Sequence, residues 1–201
     1  MFVKICGIRS LEDAIISSSF MPDYMGLIFC ESPRKINVEI GKVIANNLNT
    51  KKFIGVFQDN QIEEILKIAK ICNLFGIQLH GDESPKDIEI IKENNLIAIK
   101  AFRIADRLPE NLSEYKPDYF LFDKTKECKS FNTNTLENYN LNIPFFIAGG
   151  LKSENVHETL KKISNVQFCG IDLSSGVEKD NKKDPVLLEN FFAVVKNQIF
   201  F

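Results

Sequence analysis

Pro144-Phe145-Phe146-Ile147-Ala148-Gly149-Gly150 is a short apolar run that stops at two glycines. Ser153 then reads as the cap of a helix near 154–162, and a second apolar run follows at Val166–Ile171. That run leads into Asp172-Leu173-Ser174-Ser175-Gly176. A strand, a glycine turn, a helix and another strand form the repeating unit of a parallel sheet. Strands covered on both faces read as continuous apolar runs, whereas half-exposed strands alternate.

Runs of the same kind recur upstream at Phe2–Ile5, Tyr24–Phe29, Phe53–Phe57, Phe75–Leu79, Leu96–Ala101 and Tyr119–Phe122. Their starts lie 21 to 29 residues apart, room for one strand, one helix and two short loops each time. Between them, Gln61–Cys72 puts Ile62, Ile65, Leu66, Ile68 and Ala69 on one side of a helix. Ser84-Pro85 supplies a cap and a first-turn proline for the next, and Asp184 caps a terminal helix near 185–198. Segments 103–117 and 124–143 are rich in Pro, Asn, Lys and Thr and predict short helices at most. Eight parallel strands in so few residues close more readily than they spread into an open doubly wound sheet. The expectation is one (β/α)8 TIM barrel spanning 1–201.

The 201 residues are 44% hydrophobic and 26% charged, which suits one globular core and excludes wholesale disorder. A net charge of -2 gives no footprint for nucleic acid or an anionic membrane. No apolar run has the length of a membrane span, and the start at Met1 does not read as a signal peptide. Cysteines at 6, 30, 72, 128 and 169 show no CxxC or CxxH spacing, so zinc and a disulfide framework are not expected. The only histidines are His80 and His157, too few for a multi-histidine metal site. These features predict a cytoplasmic protein acting on a small molecule without a metal. Monomer and homodimer both remain open.

In such barrels the reactive groups sit where strands end and βα loops begin. Two glycine-bearing loops, Ala148-Gly149-Gly150 and Ser174-Ser175-Gly176, follow the last two strands, the usual place for a phosphate. Each taken alone is equally a tight turn; together they favour an anion site. Cys6 closes strand one beside Gly7. It is either a small core residue or a thiol whose pKa a positive environment lowers into the range of a general base. Asp123 closes the apolar strand Tyr119–Phe122 and is either a loop anchor or an acid with a raised pKa. Arg34, in Ser32-Pro33-Arg34, is one of four arginines and suits a substrate carboxylate, unless it is merely a surface residue. Gln78 and His80 end strand four, and Asp172 starts the last loop. Cys30, Cys72, Cys128 and Cys169 read as core, and His157 as a solvated helix residue.

At these residues the chain resembles phosphoribosylanthranilate isomerase, a small (β/α)8 barrel of tryptophan biosynthesis. The likeness runs from Lys4-Ile5-Cys6-Gly7-Ile8 to Phe191. It takes in Gly26-Leu27-Ile28-Phe29, Ser32-Pro33-Arg34, Gly55-Val56-Phe57, Gln78-Leu79-His80-Gly81-Asp82-Glu83, Phe146–Leu151, Asn155-Val156 and Asp172–Glu178, in order. The resemblance implies a cofactor-free and metal-free Amadori rearrangement of an aminoaldose phosphate. It makes Asp123 the general acid, Cys6 the general base and Arg34 the partner of the anthranilate carboxylate. Gly149, Gly150, Ser174, Ser175 and Gly176 would hold the phosphate. Gln78, His80 and Asp172 would face the substrate, Asp172 orienting sugar hydroxyls or bracing its loop.

The family's glycine-rich segment after strand six is replaced by Lys124-Thr125-Lys126-Glu127-Cys128-Lys129-Ser130-Phe131. There Phe131 stands for the family's aromatic residue, and lysines take over part of the glycines' work. Lys179–Asp184 also lacks the family's proline and glycine. Two alternatives follow. One is the related isomerase of histidine biosynthesis, which uses two aspartates where this chain has Cys6 and Asp123. The other is a non-catalytic barrel that binds a phosphorylated metabolite or a protein, which the altered loop alone would support.

Overall fold

Eight strands pair in sequence order, all parallel, and β1 closes on β8 through the register Val3–Ile171 and Lys4–Asp172. They are β1 (Phe2–Cys6), β2 (Tyr24–Ile28), β3 (Phe53–Phe57), β4 (Gly76–Leu79), β5 (Ile97–Ile104), β6 (Tyr119–Lys124), β7 (Phe145–Ala148) and β8 (Phe168–Leu173). The structure, a computed structural model, describes residues 1–48, 52–125 and 132–196. Cys128 and Phe131 lie outside the described residues, as does most of the stretch that replaces the family's glycine-rich loop.

Helices α1 (Leu11–Ser18), α2 (Val38–Asn47), α3 (Ile62–Ile71) and α4 (Pro85–Glu93) follow the first four strands. Single 3-10 stretches, Leu112–Glu114 and Thr133–Asn138, take the helix positions after β5 and β6, as the composition there predicts. Helix α5 (Ser153–Lys161) follows β7, and α6 (Pro185–Lys196) closes the chain's described part. Among the described residues no helix is long and apolar enough to cross a membrane. A two-residue hairpin pair, β9 (Glu178–Lys179) and β10 (Lys182–Lys183), joins β8 to α6.

Capping follows local chemistry. Ser84 Oγ accepts from Asp87 N–H while Asp87 accepts from Ser84 N–H, and Asp184 accepts from Leu187 N–H at 2.9 Å. Each such cap contributes about 1 kcal/mol. Ser153 is not a cap: it is the first helical residue, and Asn155 Oδ1 instead accepts from Lys152 N–H at 2.9 Å.

Period-two alternation sends odd and even residues of a strand to opposite sides, so each strand feeds both the barrel interior and the helix layer. The interior holds Tyr24, Ile54, Ile99, Leu121 and Phe146 in one buried cluster. Rings of Phe2, Tyr24, Tyr119 and Phe146, with centroids 5.3–6.4 Å apart, pack together at the N-terminal end. The floor of the barrel is thus filled, and the open end is the C-terminal one.

Three strands run two or three residues past their expected ends. Strand β5 continues past Ala101 to Ile104, β6 runs on through Asp123 to Lys124, and β8 includes Asp172 and Leu173. Ladder pairing overrides the polar character of these ends: Arg103 pairs with Asp123 and Ile104 with Lys124. Asp172 is accordingly a strand residue, paired in register with Ala148.

Candidate active site

A cavity of about 300 Å³ opens at the C-terminal end of the barrel, within the size range of small-ligand sites. Each strand contributes a side chain to it: Cys6, Ile28, Val56, Gln78, Arg103, Asp123, Ala148 and Asp172. The end of β6 adds Lys124, and the loops above add Cys30, Ser32, Arg34, His80, Gly149, Gly150, Ser174, Ser175 and Gly176. Every residue singled out in the sequence therefore lines one cavity. Arg103 and Cys30 are additions, and Cys30 is half-buried at the site instead of packed in the core.

Glycines make the close approaches. A Cβ on Gly26 would lie 2.6 Å from Cys6 Sγ, so the bare backbone of β2 is what admits the thiol. Gly149 has φ +102° and Gly150 φ +71°, a region that favours glycine. A Cβ on Gly149 would also stand 2.6 Å from Asp123 Oδ1. A Cβ on Gly176 would collide with the Leu151 carbonyl, which brings the loops after β7 and β8 together.

Burial pushes the Asp123 carboxyl up to about 6; Asp172 adds to that, while Arg103 and Lys124 oppose it. His80 lies 3.9 Å from Asp123 through Nε2. Burial first, then Arg103, Lys4 and Lys100, hold its imidazole down at about 4. It is neutral at pH 7, and the contact is not an ion pair. The Gln78 amide lies 3.3 Å from His80 Nδ1. With its nitrogen donating there, the ring proton is on Nε2 and points at the cavity.

At Cys6 burial outweighs the positive environment. Burial pushes its thiol above the ordinary 9.0; Lys4 and Lys183 pull down, but Asp172 pushes up as well. The cations are present, yet desolvation outweighs them. Beneath it Lys4 donates to Asp172 Oδ2 at 2.9 Å, both side chains being essentially without solvent. Burial opposes the Lys4 charge, but Asp172 and Cys6 outweigh it and keep the ammonium protonated.

Arg34 lines the cavity but already has a carboxylate partner. Its Nε and Nη2 donate to Glu178 at 2.8 and 2.6 Å. Nη1 makes no hydrogen bond among the described residues and is the donor left for a ligand. Lys183, itself buried, donates to Glu178 Oε1, the Cys6 carbonyl and the Ser174 carbonyl. One lysine thus ties Cys6, the loop after β8 and the arginine's anchor together. Buried Lys100 does the same for the β4 loop, donating to Glu83 at 2.7 Å and to the Gly81 carbonyl at 2.6 Å.

Three buried polar atoms here have no hydrogen-bond partner among the described residues: Gln78 Oε1, His80 Nε2 and Asp172 Oδ1. Orphans of this kind cost free energy unless a ligand satisfies them, and they gather on the cavity's inner wall. Among the described residues no group of three His, Cys, Asp or Glu side chains is placed to hold a metal ion. His157 stands apart on α5, exposed beside Glu158. Cys72 is buried and Cys169 half-buried, both away from the cavity lining.

Residues 3–194 match the family model of N-(5'phosphoribosyl)anthranilate (PRA) isomerase. An N-(5'-phosphoribosyl)anthranilate isomerase from Thermoanaerobacter sp. (strain X514) is 36% identical over 96% of this chain and 97% of its own. Among solved structures, the phosphoribosyl anthranilate isomerase from Thermus thermophilus superposes with a TM-score of 0.88 at 28% identity, covering 98% of this chain and 100% of its own. Another, solved in complex with reduced 1-(o-carboxyphenylamino)-1-deoxyribulose 5-phosphate, gives 0.84 at 30% identity, covering 98% and 99%. On sequence and fold alike, this chain belongs to the N-(5'-phosphoribosyl)anthranilate isomerase family.

Proposed function

We propose that the chain converts N-(5'-phosphoribosyl)anthranilate to 1-(2-carboxyphenylamino)-1-deoxyribulose 5-phosphate in tryptophan biosynthesis, with Asp123 as general acid and Cys6 as general base. The observation that carries this reading is the convergence of a raised carboxyl and a thiol on one cavity, between two glycine loops and an arginine. The four described cysteines with free thiols suit a reducing cytoplasm.

Asp123 donates its proton to the furanose ring oxygen. The C1′–O bond breaks as the anthranilate nitrogen lone pair forms the C1′=N⁺ bond. Cys6 thiolate then takes the proton from C2′, and the released electron pair forms C1′=C2′ while nitrogen recovers its lone pair. The enolamine becomes the ketone when O2′ loses a proton and C1′ gains one. Net, the substrate is isomerised and one proton has passed from Asp123 to Cys6, so the cycle closes when it returns.

Arg34 Nη1 faces the anthranilate carboxylate, and Gly149, Gly150, Ser174, Ser175 and Gly176 hold the phosphate. Gln78 and His80 meet the sugar, and Asp172 Oδ1 accepts from a hydroxyl. Fixing both charged ends holds the ribose between acid and base, which is the positioning contribution to rate.

The test follows the loss of anthranilate fluorescence on freshly made phosphoribosylanthranilate for wild type, Cys6→Ser and Asp123→Asn. Turnover by wild type and losses of about 10²–10⁴-fold in both folded variants are expected. Absence of turnover by folded wild type would overturn the reading.

A further inference from the structure

Resting on the role just given to Cys6, the proton inventory of the cavity exposes a difficulty and the group that meets it. Near neutral pH Asp123 is mainly carboxylate and Cys6 thiol, since one titrates at about 6 and burial raises the other above its ordinary 9.0. The reaction needs the opposite arrangement. Moving the proton across leaves the net charge unchanged, but with the Cys6 thiol raised and Asp123 at about 6 the required arrangement is the minor one. Anything that favours the thiolate raises that population directly.

The charged and titratable groups facing Cys6 come from four places. Lys4 lies on its own strand, Asp172 on β8, Lys183 on β10, and Arg34 and Cys30 follow β2. Arg34 and Lys183 share Glu178 as their anion, and Lys183 reaches the Cys6 carbonyl, not its sulfur. Lys4 is different. It stands two residues before Cys6 in β1, so both side chains enter the barrel on the same side, Lys4 one layer below. Its ammonium is without solvent and is held 2.9 Å from Asp172 Oδ2.

We propose that Lys4 is a positioning residue for the base: its buried ammonium, anchored by Asp172, is the counter-charge against which the Cys6 thiolate forms before C2′ is deprotonated. Lys4 touches no substrate atom in this scheme and transfers no proton. The two partners bias Cys6 in opposite senses. Lys4 favours the thiolate, whereas Asp172 opposes it and in return keeps Lys4 in place.

That opposition supplies the test. The rate of iodoacetamide alkylation at Cys6, read by peptide mass spectrometry from pH 7 to 10.5, reports thiolate directly and does not depend on turnover. Cys30 lines the same cavity, but burial and a backbone hydrogen bond govern its thiol first, then Cys6, Glu83 and Lys35, with neither Lys4 nor Asp172 among them, so its rate in the same sample is the internal reference. In Lys4→Met the Cys6 profile should move up by about one pH unit or more, making alkylation at pH 8 about tenfold slower relative to Cys30. The plateau kcat should fall about as much, with KM little changed. In Asp172→Asn the Cys6 profile should move down and alkylation at pH 8 become faster.

A folded Lys4→Met protein whose Cys6 profile is unmoved, or moves together with that of Cys30, would overturn the proposal. So would Asp172→Asn slowing alkylation or leaving it unchanged, a result that stands even where Lys4→Met does not fold. Failure of wild type to isomerise the substrate, with these alkylation shifts intact, would instead count against the proposed reaction and leave the Lys4–Cys6 pairing standing.

Discussion

Replacing Asp123 by Asn should cost activity and add stability, and the two effects have one cause. The side chain is three-quarters buried at the cavity wall, and its carboxyl is raised from 3.8 to about 6 chiefly by lost hydration. A carboxyl raised on folding holds its proton more tightly in the folded than in the unfolded chain. Its contribution is therefore most favourable below the unfolded value of 3.8 and is lost as pH rises through about 6.

At pH 8 the ionised group costs the folded state about 3 kcal/mol, two pH units and a little more at about 1.4 kcal/mol each. At pH 4 the same expression leaves about 0.5 kcal/mol. Asn keeps the shape and never ionises. Urea unfolding should therefore find Asp123→Asn more stable than wild type by about 1–3 kcal/mol at pH 8, the range allowing for the quarter of the side chain that water reaches. Most of the advantage, about 1–2.5 kcal/mol, should be gone at pH 4, and other titrating carboxylates cancel in the comparison. The fluorescence assay on the same preparations should show turnover down by at least about a hundredfold. A variant no more stable than wild type at pH 8, or a difference that does not change between the two pH values, would refute the assignment of a desolvated acid. It would leave Asp123 as an ordinary loop anchor.

The other outcomes follow from named contacts. Wild-type kcat/KM should rise with pH through about 6 and fall above 9.0, because the reactive arrangement is a minor one whose limbs report Asp123 first and Cys6 second. A profile already falling at pH 7 would contradict that order. Glu178→Gln should raise KM several-fold more than it lowers kcat, since it loosens the Arg34 guanidinium held at 2.6 Å; steady-state kinetics separate the two. The same variant bears on acid stability. Burial raises the Glu178 carboxyl, but Arg34 and Lys183 outweigh it and hold it below 4.5, so its contribution is present above that value and lost at lower pH. Wild type should therefore lose stability on acidification below pH 4.5 faster than Glu178→Gln, read from paired urea melts. Gly149→Ala forces a φ of +102° on alanine and a Cβ onto Asp123 Oδ1; about 1–3 kcal/mol of stability should go, with most of the activity. Lys100→Met leaves Glu83 buried without its cation and should lower stability by about 3–5 kcal/mol in urea titration while Cys6 still alkylates as in wild type.

The parity of the strands separates what was legible in the sequence from what was not. Every strand sends a residue to the cavity, and on β1, β4, β6 and β8 the sequence shows a polar one near the strand end: Cys6, Gln78, Asp123 and Asp172. A polar residue closing an apolar run stands out, so these four were found by position alone. Arg103 fills the same place on β5 but lay beyond the expected end of that strand at Ala101. Its pairing with Asp123 is made by a ladder whose other half sits 20 residues away, and no local pattern carries that. Lys183 and Glu178 were hidden for a similar reason: their partners Cys6, Ser174 and Arg34 come together only when β1 and β8 close the barrel.

Lys4 and Lys100 gave a signal that was not used. Each is a lone charge inside an otherwise apolar strand, and a buried lysine needs an anion. Period two even tells the two apart. Lys4 shares the inward phase of Cys6, whereas Lys100 lies between inward Ile99 and Ala101 and must face the helix layer, where Glu83 meets it. At Cys6 the sequence left a core thiol and a lowered one both open, and desolvation decides between them. In a site closed to water that effect outweighs two lysines, and the catalytic problem becomes one of restoring a thiolate that the fold itself disfavours.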